Sequence, residues 1–369
     1  MGTIDALSAM KIAAIRRLVS ASALLAAVPL TVVGVSNLSA VSRQTGPVAQ
    51  GKTVASWGRA EIHLASGTGR DIQKALNSLP ARGGRVMLGE GTFMVSDPLV
   101  IDRDNIELAG DQELTVLKLS DRMDIPLLVV GDMNTPPARK VTGVTVRKLI
   151  LDGNRRKQEH ECNGGPCDQG GLSHIRNNAL TIRGAEDVRI EHVTARAARS
   201  GGVVLEKGCR RIHISDFTAH DNHFDGFAAY ETEDSFFTRM YLHSNAAAGI
   251  SADIRFNRNI ISHTRLEDNG SQGIFMRDSN FNNFSRLTIR NNGQQGVFIA
   301  QADDQPNTPC TGNIFSELTV EGSKGNGLRV NDLSCVANTL VRSIFRANAQ
   351  GGVSEAGEKL IVQVDVNVQ

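Results

Sequence analysis

From residue 179 onward one pattern recurs: a small residue, an apolar one, a variable one and a second apolar one. It reads Ala179-Leu180-Thr181-Ile182, Gly202-Val203-Val204-Leu205, Gly226-Phe227-Ala228-Ala229, Gly249-Ile250-Ser251-Ala252, Gly273-Ile274-Phe275-Met276, Gly296-Val297-Phe298-Ile299 and Gly327-Leu328-Arg329-Val330. The steps are 23, 24, 23, 24, 23 and 31 residues, and 25 more reach Gly352-Val353. A fixed period of this size restricts the chain to a solenoid, whose turns bury a continuous core only by stacking on one another.

Each period holds two further strand-like patches. One passes through Val188-Arg189-Ile190, Ile212-His213-Ile214, Asn259-Ile260-Ile261, Asn313-Ile314-Phe315 and Asn338-Thr339-Leu340. The other passes through Phe217-Thr218-Ala219, Met240-Tyr241-Leu242, Thr264-Arg265-Leu266, Leu287-Thr288-Ile289 and Leu318-Thr319-Val320. Three short alternating strands per turn predict an all-β protein, a single-stranded right-handed parallel β-helix with three sheets and turns about 4.8 Å apart. Leucine-rich repeats share the period, but their LxxLxLxxN consensus is absent. No Pro lies between Pro166 and Pro306, as expected where nearly every backbone N–H bonds to the next turn.

Asn222, Asn245, Asn269 and Asn292 follow the third strand at the same period, predicting an internal ladder of side-chain amides on left-handed backbone. Asn259, Asn283, Asn313 and Asn338 predict a second ladder. Cys310 and Cys335 each precede one of these by three residues, which places them in adjacent turns at a separation that suits a disulfide.

Asp71 to Leu79 is amphipathic and is expected as a short helix capping the first turn, whose strands begin near Gly84 and Asn105. Lys359 to Val368 alternates and is expected as a closing strand. Further upstream, Lys11, Arg16 and Arg17 precede the apolar stretch Leu18 to Val35, and Leu38-Ser39-Ala40 ends in a small residue. Residues 1–40 read as a signal peptide, or as an anchor where uncleaved. Residues 41–65 read as a linker and 66–369 as one β-helix domain, secreted or periplasmic. That compartment permits disulfides among the five cysteines: Cys162 with Cys167 as a loop clip, Cys310 with Cys335, and Cys209 left over. Lys+Arg total 40 against Asp+Glu 39, with no basic stripe, which argues against a nucleic-acid partner. The spacings of zinc sites, CxxC…CxxC and HExxH, are absent.

The DIQKAL helix followed by GGRVMLGEGTF, with the repeats over roughly residues 66 to 355, resembles the pectin-lyase-like β-helix superfamily. The phrase Ala219-His220-Asp221-Asn222-His223-Phe224-Asp225-Gly226-Phe227 is similar to turns of the extracellular mannuronan C-5 epimerases. Those enzymes carry an Asp-Pro-His motif one turn earlier, where this chain has Glu206-Lys207-Gly208, so that histidine is missing. The Trp-Ile-Asp-His of pectate lyases is absent too, as are the Asn-Thr-Asp, Asp-Asp and Gly-His-Gly of polygalacturonases. The resemblance implies the fold, a saccharide on the outer face of the first sheet, and a monomer or a trimer. It assigns no catalytic residue, because fold does not imply function.

Alternation sorts the first sheet's faces. Positions one and three after the Gly point inward, and positions two and four point outward. The fourth column reads Arg183, Glu206, Tyr230, Asp253, Arg277, Ala300, a mixed-charge strip expected as the floor of a groove. Two insertions flank it. Residues 155–177 carry Cys162, Cys167, His160 and His174, and residues 301–309 account for the 31-residue step. His220, His223 and Asp225 are expected in the turn beside Tyr230, whereas His192, His213, His243 and His263 fall in or near the other sheets as surface or turn residues.

Three chemistries fit such a strip. Uronate β-elimination or C5 epimerisation needs a cation for the C6 carboxylate and groups that remove and deliver protons. Arg277 or Arg183 is the expected cation, and Tyr230 and His223 the expected acid and base. Arg183, His174, His220 and Asp225 are the expected substrate-binding set. Glu206 and Asp253 offer oxygen ligands to Ca²⁺. The same two, about 10 Å apart by turn spacing, are the expected pair of an inverting glycoside hydrolase. The third option is a carbohydrate-binding or structural β-helix without chemistry. Arginine, tyrosine and histidine together favour an anionic polysaccharide over a neutral one.

Overall fold

The computed structural model describes residues 60–159, 174–302 and 308–369. The expected signal peptide, most of the linker and the Cys162/Cys167 clip lie outside these residues. The described strands gather into sheets of ten, twenty and four strands, and every pairing is parallel. The molecule is therefore the parallel β-solenoid that the period predicts.

The ten-stranded sheet carries the recurrent motif. Its regular strands include Leu180–Arg183, Val203–Glu206, Phe227–Tyr230, Ile250–Asp253, Ile274–Arg277, Val297–Ala300, Leu328–Val330 and Val353–Glu355. Leu99–Ile101 and Leu128–Gly131 extend the same sheet toward the N-terminus. The twenty-stranded sheet winds through the other two strand positions, as in Arg189–Arg196 and His213–His220.

Inward positions behave as alternation requires. Val203, Leu205, Phe227, Ile250, Ile274 and Val297 are all buried, and Phe217, Phe237, Phe284, Phe315 and Phe345 fill the interior from the twenty-stranded sheet. Such rings stack between turns, as Phe284 and Phe315 do at 5.1 Å between centroids, so each turn's core residue completes the cavity left by its neighbour.

The helix Gly69–Ser78 covers the first turn with Ile72, Ala75 and Leu76. Its N-terminus is held by the Asp71 carboxylate, which accepts hydrogen bonds from the Thr68 N–H and hydroxyl, both at 2.8 Å. One strand, Glu61–Leu64, lies within the segment expected as linker and pairs in register with Gly84–Leu88. At the other end Ile361–Val364 and Asn367–Val368 form the closing turn.

The first asparagine ladder stands as expected. Asn222, Asn245 and Asn269 each donate Nδ2 to the next amide oxygen, at 2.9, 3.0 and 3.0 Å, ending on Asn292. The left-handed backbone falls one residue earlier, at Asp221, Ser244, Asp268 and Asn291. The second ladder runs Asn259, Asn282, Asn313, Asn338. Asn282 therefore replaces the expected Asn283, which belongs to the strand Asn283–Ser285.

The expected disulfide is corrected as well. Cys310 and Cys335 do meet in adjacent turns, where the Cys310 N–H lies 3.4 Å from the Cys335 Sγ, but both are buried free thiols. Cys209 is a third buried thiol. Its S–H reaches the carbonyls of Ile182 and Glu206 at 3.3 Å, and burial pushes its pKa up to about 12, which makes it unreactive.

Candidate functional site

Parallel pairing brings the outward column into register: Arg183 opposite Glu206, Tyr230 opposite Asp253, Arg277 opposite Ala300. These side chains split into two groups.

The first group is a sealed wall. Arg183 was expected on an open floor, yet it is fully buried beneath the segment 131–140. Its guanidinium donates to the carbonyls of Asp132 and Met133 at 3.1 and 2.8 Å and to the Thr135 hydroxyl at 2.9 Å, and pairs with Glu206 at 3.0 Å. Asp132 stiffens that segment by accepting from the N–H groups of Asn134, Ala138 and Arg139, which holds its carboxyl below the usual carboxylate range. The His174 ring is hydrogen-bonded to the Met133 carbonyl at 2.8 Å. Arg183, Glu206 and His174 thus fix a loop in place, a role that the column position of the first two could not reveal.

The second group is a cluster of ionisable side chains one to three turns on. Asp225 ends the turn before Phe227–Tyr230 and is 3% exposed. Its carboxylate accepts the Ala248 N–H at 2.8 Å. Burial, with Asp253 nearby, still pushes it up to about 7. Burial also pushes the Tyr230 phenol up to about 12, and the charge of Asp225 adds to the shift. The charge of Arg176 opposes part of that rise, and its guanidinium lies 5.7 Å from the Phe224 ring centroid. On the far side Arg277 pairs with Asp253 at 2.6 Å and lies 5.2 Å from the Phe275 ring centroid. Arg176 is the member that sequence reasoning missed. It lies in the 155–177 insertion, outside the periodic pattern.

His223 is half-buried in the turn leading to Asp225, and its backbone N–H donates to the Ala198 carbonyl at 2.9 Å. His220 is placed elsewhere. It closes the strand His213–His220 on the twenty-stranded sheet, where it hydrogen-bonds Asp221 at 2.6 Å and stacks on His243 at 5.0 Å. The expectation that it lines the groove with Tyr230 is corrected, since an outward residue at that strand end faces its own sheet's surface.

Glu206 and Asp253 are the two oxygen ligands expected for Ca²⁺. Each is paired with an arginine, and the described residues contain no group of three His, Cys, Asp or Glu arranged to hold a metal ion. A hollow of about 560 Å³ beside the capping helix, lined by Arg70, Gln73, Lys74 and Asp97, contains none of the cluster's side chains.

Comparisons with known proteins agree with this architecture. A family model described as a right-handed β-helix region matches residues 172–313. The mannuronan C5-epimerase AlgE4 of Azotobacter vinelandii is 30% identical over 188 residues, 49% of this chain and 32% of that protein. AlgE2 of the same organism is 26% identical over 214 residues, 56% of this chain and 20% of that protein. The chain thus spans about a third or less of the curated relatives it matches. Among solved structures, the A-module of the Azotobacter vinelandii mannuronan C-5 epimerase AlgE6 superposes with a TM-score of 0.51 at 19% identity, covering 82% of this chain and 95% of that one. The Dettilon tailspike protein superposes with a TM-score of 0.56 at 12% identity, covering 80% and 68%. Similarity at these identities shows the fold alone. Among the described residues no helix is long and apolar enough to cross a membrane.

Proposed function

We propose that this protein acts on an acidic polysaccharide, by proton transfer at C5 of a uronate unit held over Tyr230. The observation that carries the reading is the cluster of Arg176, Asp225, Tyr230, Asp253 and Arg277 on one face of the solenoid, in which Asp225 and Asp253 are buried and the other three partly exposed. Removing a C5 proton builds negative charge on the adjacent carboxylate, and a guanidinium in a site of low dielectric stabilises that charge far better than water does. Arg183 is sealed away from this task, so it falls to Arg277.

A phenol pushed up to about 12 is protonated at neutral pH, which makes Tyr230 the proton donor of the resting site. The positive charge of Arg176 favours the phenolate that forms once the proton has left. His223 is the second proton-transfer group. Donation to the opposite ring face gives epimerisation, and donation to the glycosidic oxygen gives β-elimination. Sequence similarity to proteins named as mannuronan C5-epimerases supports the substrate class. The missing Asp-Pro-His means that these residues carry the chemistry differently here.

A second reading has its own support. Asp225, raised to about 7, and Asp253, paired with Arg277, are two carboxyl groups in unlike environments, which is how a hydrolase separates its acid from its base. This pair supplants Glu206 and Asp253, because Glu206 is tied to the wall.

One experiment separates the readings. Exported protein is mixed with alginate, pectate and glycosaminoglycans in D₂O. Deuterium at C5 by NMR is the expected result of epimerisation, and the ultraviolet absorbance of an unsaturated uronate that of β-elimination. Tyr230→Phe should reduce either signal by about 10²–10⁴-fold while leaving the melting temperature close to wild type. New reducing ends with neither C5 deuterium nor the unsaturated-uronate absorbance would move the assignment to Asp225 and Asp253. Unchanged turnover in Tyr230→Phe would remove the tyrosine from the mechanism.

A further inference from the structure

The outer face of the ten-stranded sheet is not uniform along its length. Outward residues are covered in the N-terminal turns, where Val129, Thr181 and Arg183 are fully buried and Val204 is 4% exposed. Past Asp253 most of these positions open: Phe275, Arg277, Phe298 and Arg329 are partly exposed, while Ala300 stays buried.

This open stretch has its own chemistry. Phe275 and Phe298 face outward from adjacent turns with rings parallel and centroids 5.7 Å apart. Arg329 is in register with Phe298 on the next turn. Its Nε donates to the neutral Asn331 side chain at 3.1 Å, and no carboxylate among the described residues is paired with it. On the rim Gln272 donates to Gln294 at 2.6 Å. Apolar ring surface beside a guanidinium that no carboxylate of the described residues pairs, with amides at the edge, matches a sugar unit that has an apolar C–H face, a carboxylate and hydroxyls. The turn spacing of about 4.8 Å is close to the length of one pyranose, so successive units of a chain can meet successive turns.

We propose that Phe275, Phe298 and Arg329 form an extension subsite for further units of an acidic polysaccharide. The chain then runs from Tyr230 only toward the C-terminal end of the solenoid, because the 131–140 segment stapled to Arg183 closes the groove in the other direction. This rests on the reading of the Tyr230 cluster as the reacting centre, but it concerns binding and has a readout of its own.

The test is calorimetric titration of the full chain with short and long oligomers of a polyuronate and with neutral gluco-oligomers of equal length. For the wild type, affinity should rise with length for the uronates only. Phe298→Ala and Arg329→Gln should each weaken long uronates by about tenfold, the effect of losing one charged hydrogen bond or comparable apolar contact, and leave the shortest unchanged. Arg329 is half-exposed, so its variant keeps the test alive where Phe298→Ala fails to fold. Equal loss for short and long oligomers, or no loss for either, would overturn the subsite, and neutral oligomers bound as tightly would overturn its acidic ligand. Length-dependent binding without C5 exchange or elimination would sink the proposed chemistry and leave the subsite standing. Turnover with affinity independent of length would do the reverse.

Discussion

The outer faces of the two large sheets carry the same residue types with opposite consequences. On the twenty-stranded sheet one column reads His220, His243, Glu267, Arg290, Glu321, Arg346 in register. Its charges pair along the axis, as in Arg346 with Glu321 at 3.1 Å, and several turns earlier, outside that column, Arg239 pairs with Asp216 at 2.7 Å. Guanidiniums there hold Asp216, Asp234 and Glu317 below the usual carboxylate range. On the ten-stranded sheet burial drives Asp225 and Tyr230 the other way. An alternating charge column is therefore not in itself a sign of function. Exclusion of water from part of it is the sign, because only there does ionisation become costly enough to tune.

The largest break in this contrast comes from the most buried charge. Replacing Arg183 by Met removes the guanidinium that joins the 131–140 segment to the sheet, and leaves Glu206 and two carbonyls without their partner. The expected loss is about 3–5 kcal/mol in denaturant unfolding, the range for removing one side of a buried pair. A variant that unfolds at the same denaturant concentration as wild type would mean that the wall is not held by Arg183.

Asp225 sharpens the contrast through pH. Its folded pKa lies above its unfolded value, near 7 against 3.8, so between these values the native state binds more protons than the unfolded one. Stability is full below about pH 4 and falls as pH rises toward 7. Asp225→Asn keeps an acceptor for the Ala248 N–H without a charge to bury. It should flatten that slope and gain roughly 3 kcal/mol relative to wild type at neutral pH. Parallel stability curves for the two proteins between pH 4 and 8 would show that the carboxyl is hydrated after all.

The solenoid was legible because stacking makes one turn's pattern the next turn's constraint. Gly202, Gly226, Gly249 and Gly273 sit where an added Cβ would strike a neighbouring backbone oxygen or ladder amide at 3.0 Å or less, so smallness recurs at the period. The first ladder was legible for the same reason. Asn283 was misread for Asn282 because two consecutive asparagines fit the period equally well, and only one can point inward. The site was less legible. Alternation showed that Arg183 points outward, but not that residues fifty positions earlier fold over it. Arg176 left no periodic trace because it belongs to an insertion, whose placement is tertiary. Likewise, the buried free thiols Cys310 and Cys335 show that adjacency predicted from period is not the same as a bond.

The smallest effect belongs to the exposed face. Asp216 accepts two hydrogen bonds from Arg239, both 2.7 Å, with side chains 28% and 57% exposed. Its folded pKa is depressed, so its contribution is present at neutral pH and is lost as pH falls through the folded value. Asp216→Asn should therefore cost less than about 1 kcal/mol near pH 7, and less still in high salt, because solvent screens the pair. Asp216 has φ of 52°, a left-handed conformation that asparagine tolerates, so backbone strain does not enter the comparison. The two aspartate-to-asparagine changes then run in opposite directions at neutral pH, Asp225 toward stability and Asp216 away from it. Melting curves of both at low and high salt test whether burial, rather than charge pattern, separates a site from a surface on this solenoid. A salt-insensitive loss at Asp216 as large as that at Arg183 would show that the exposed ladders are structural braces instead.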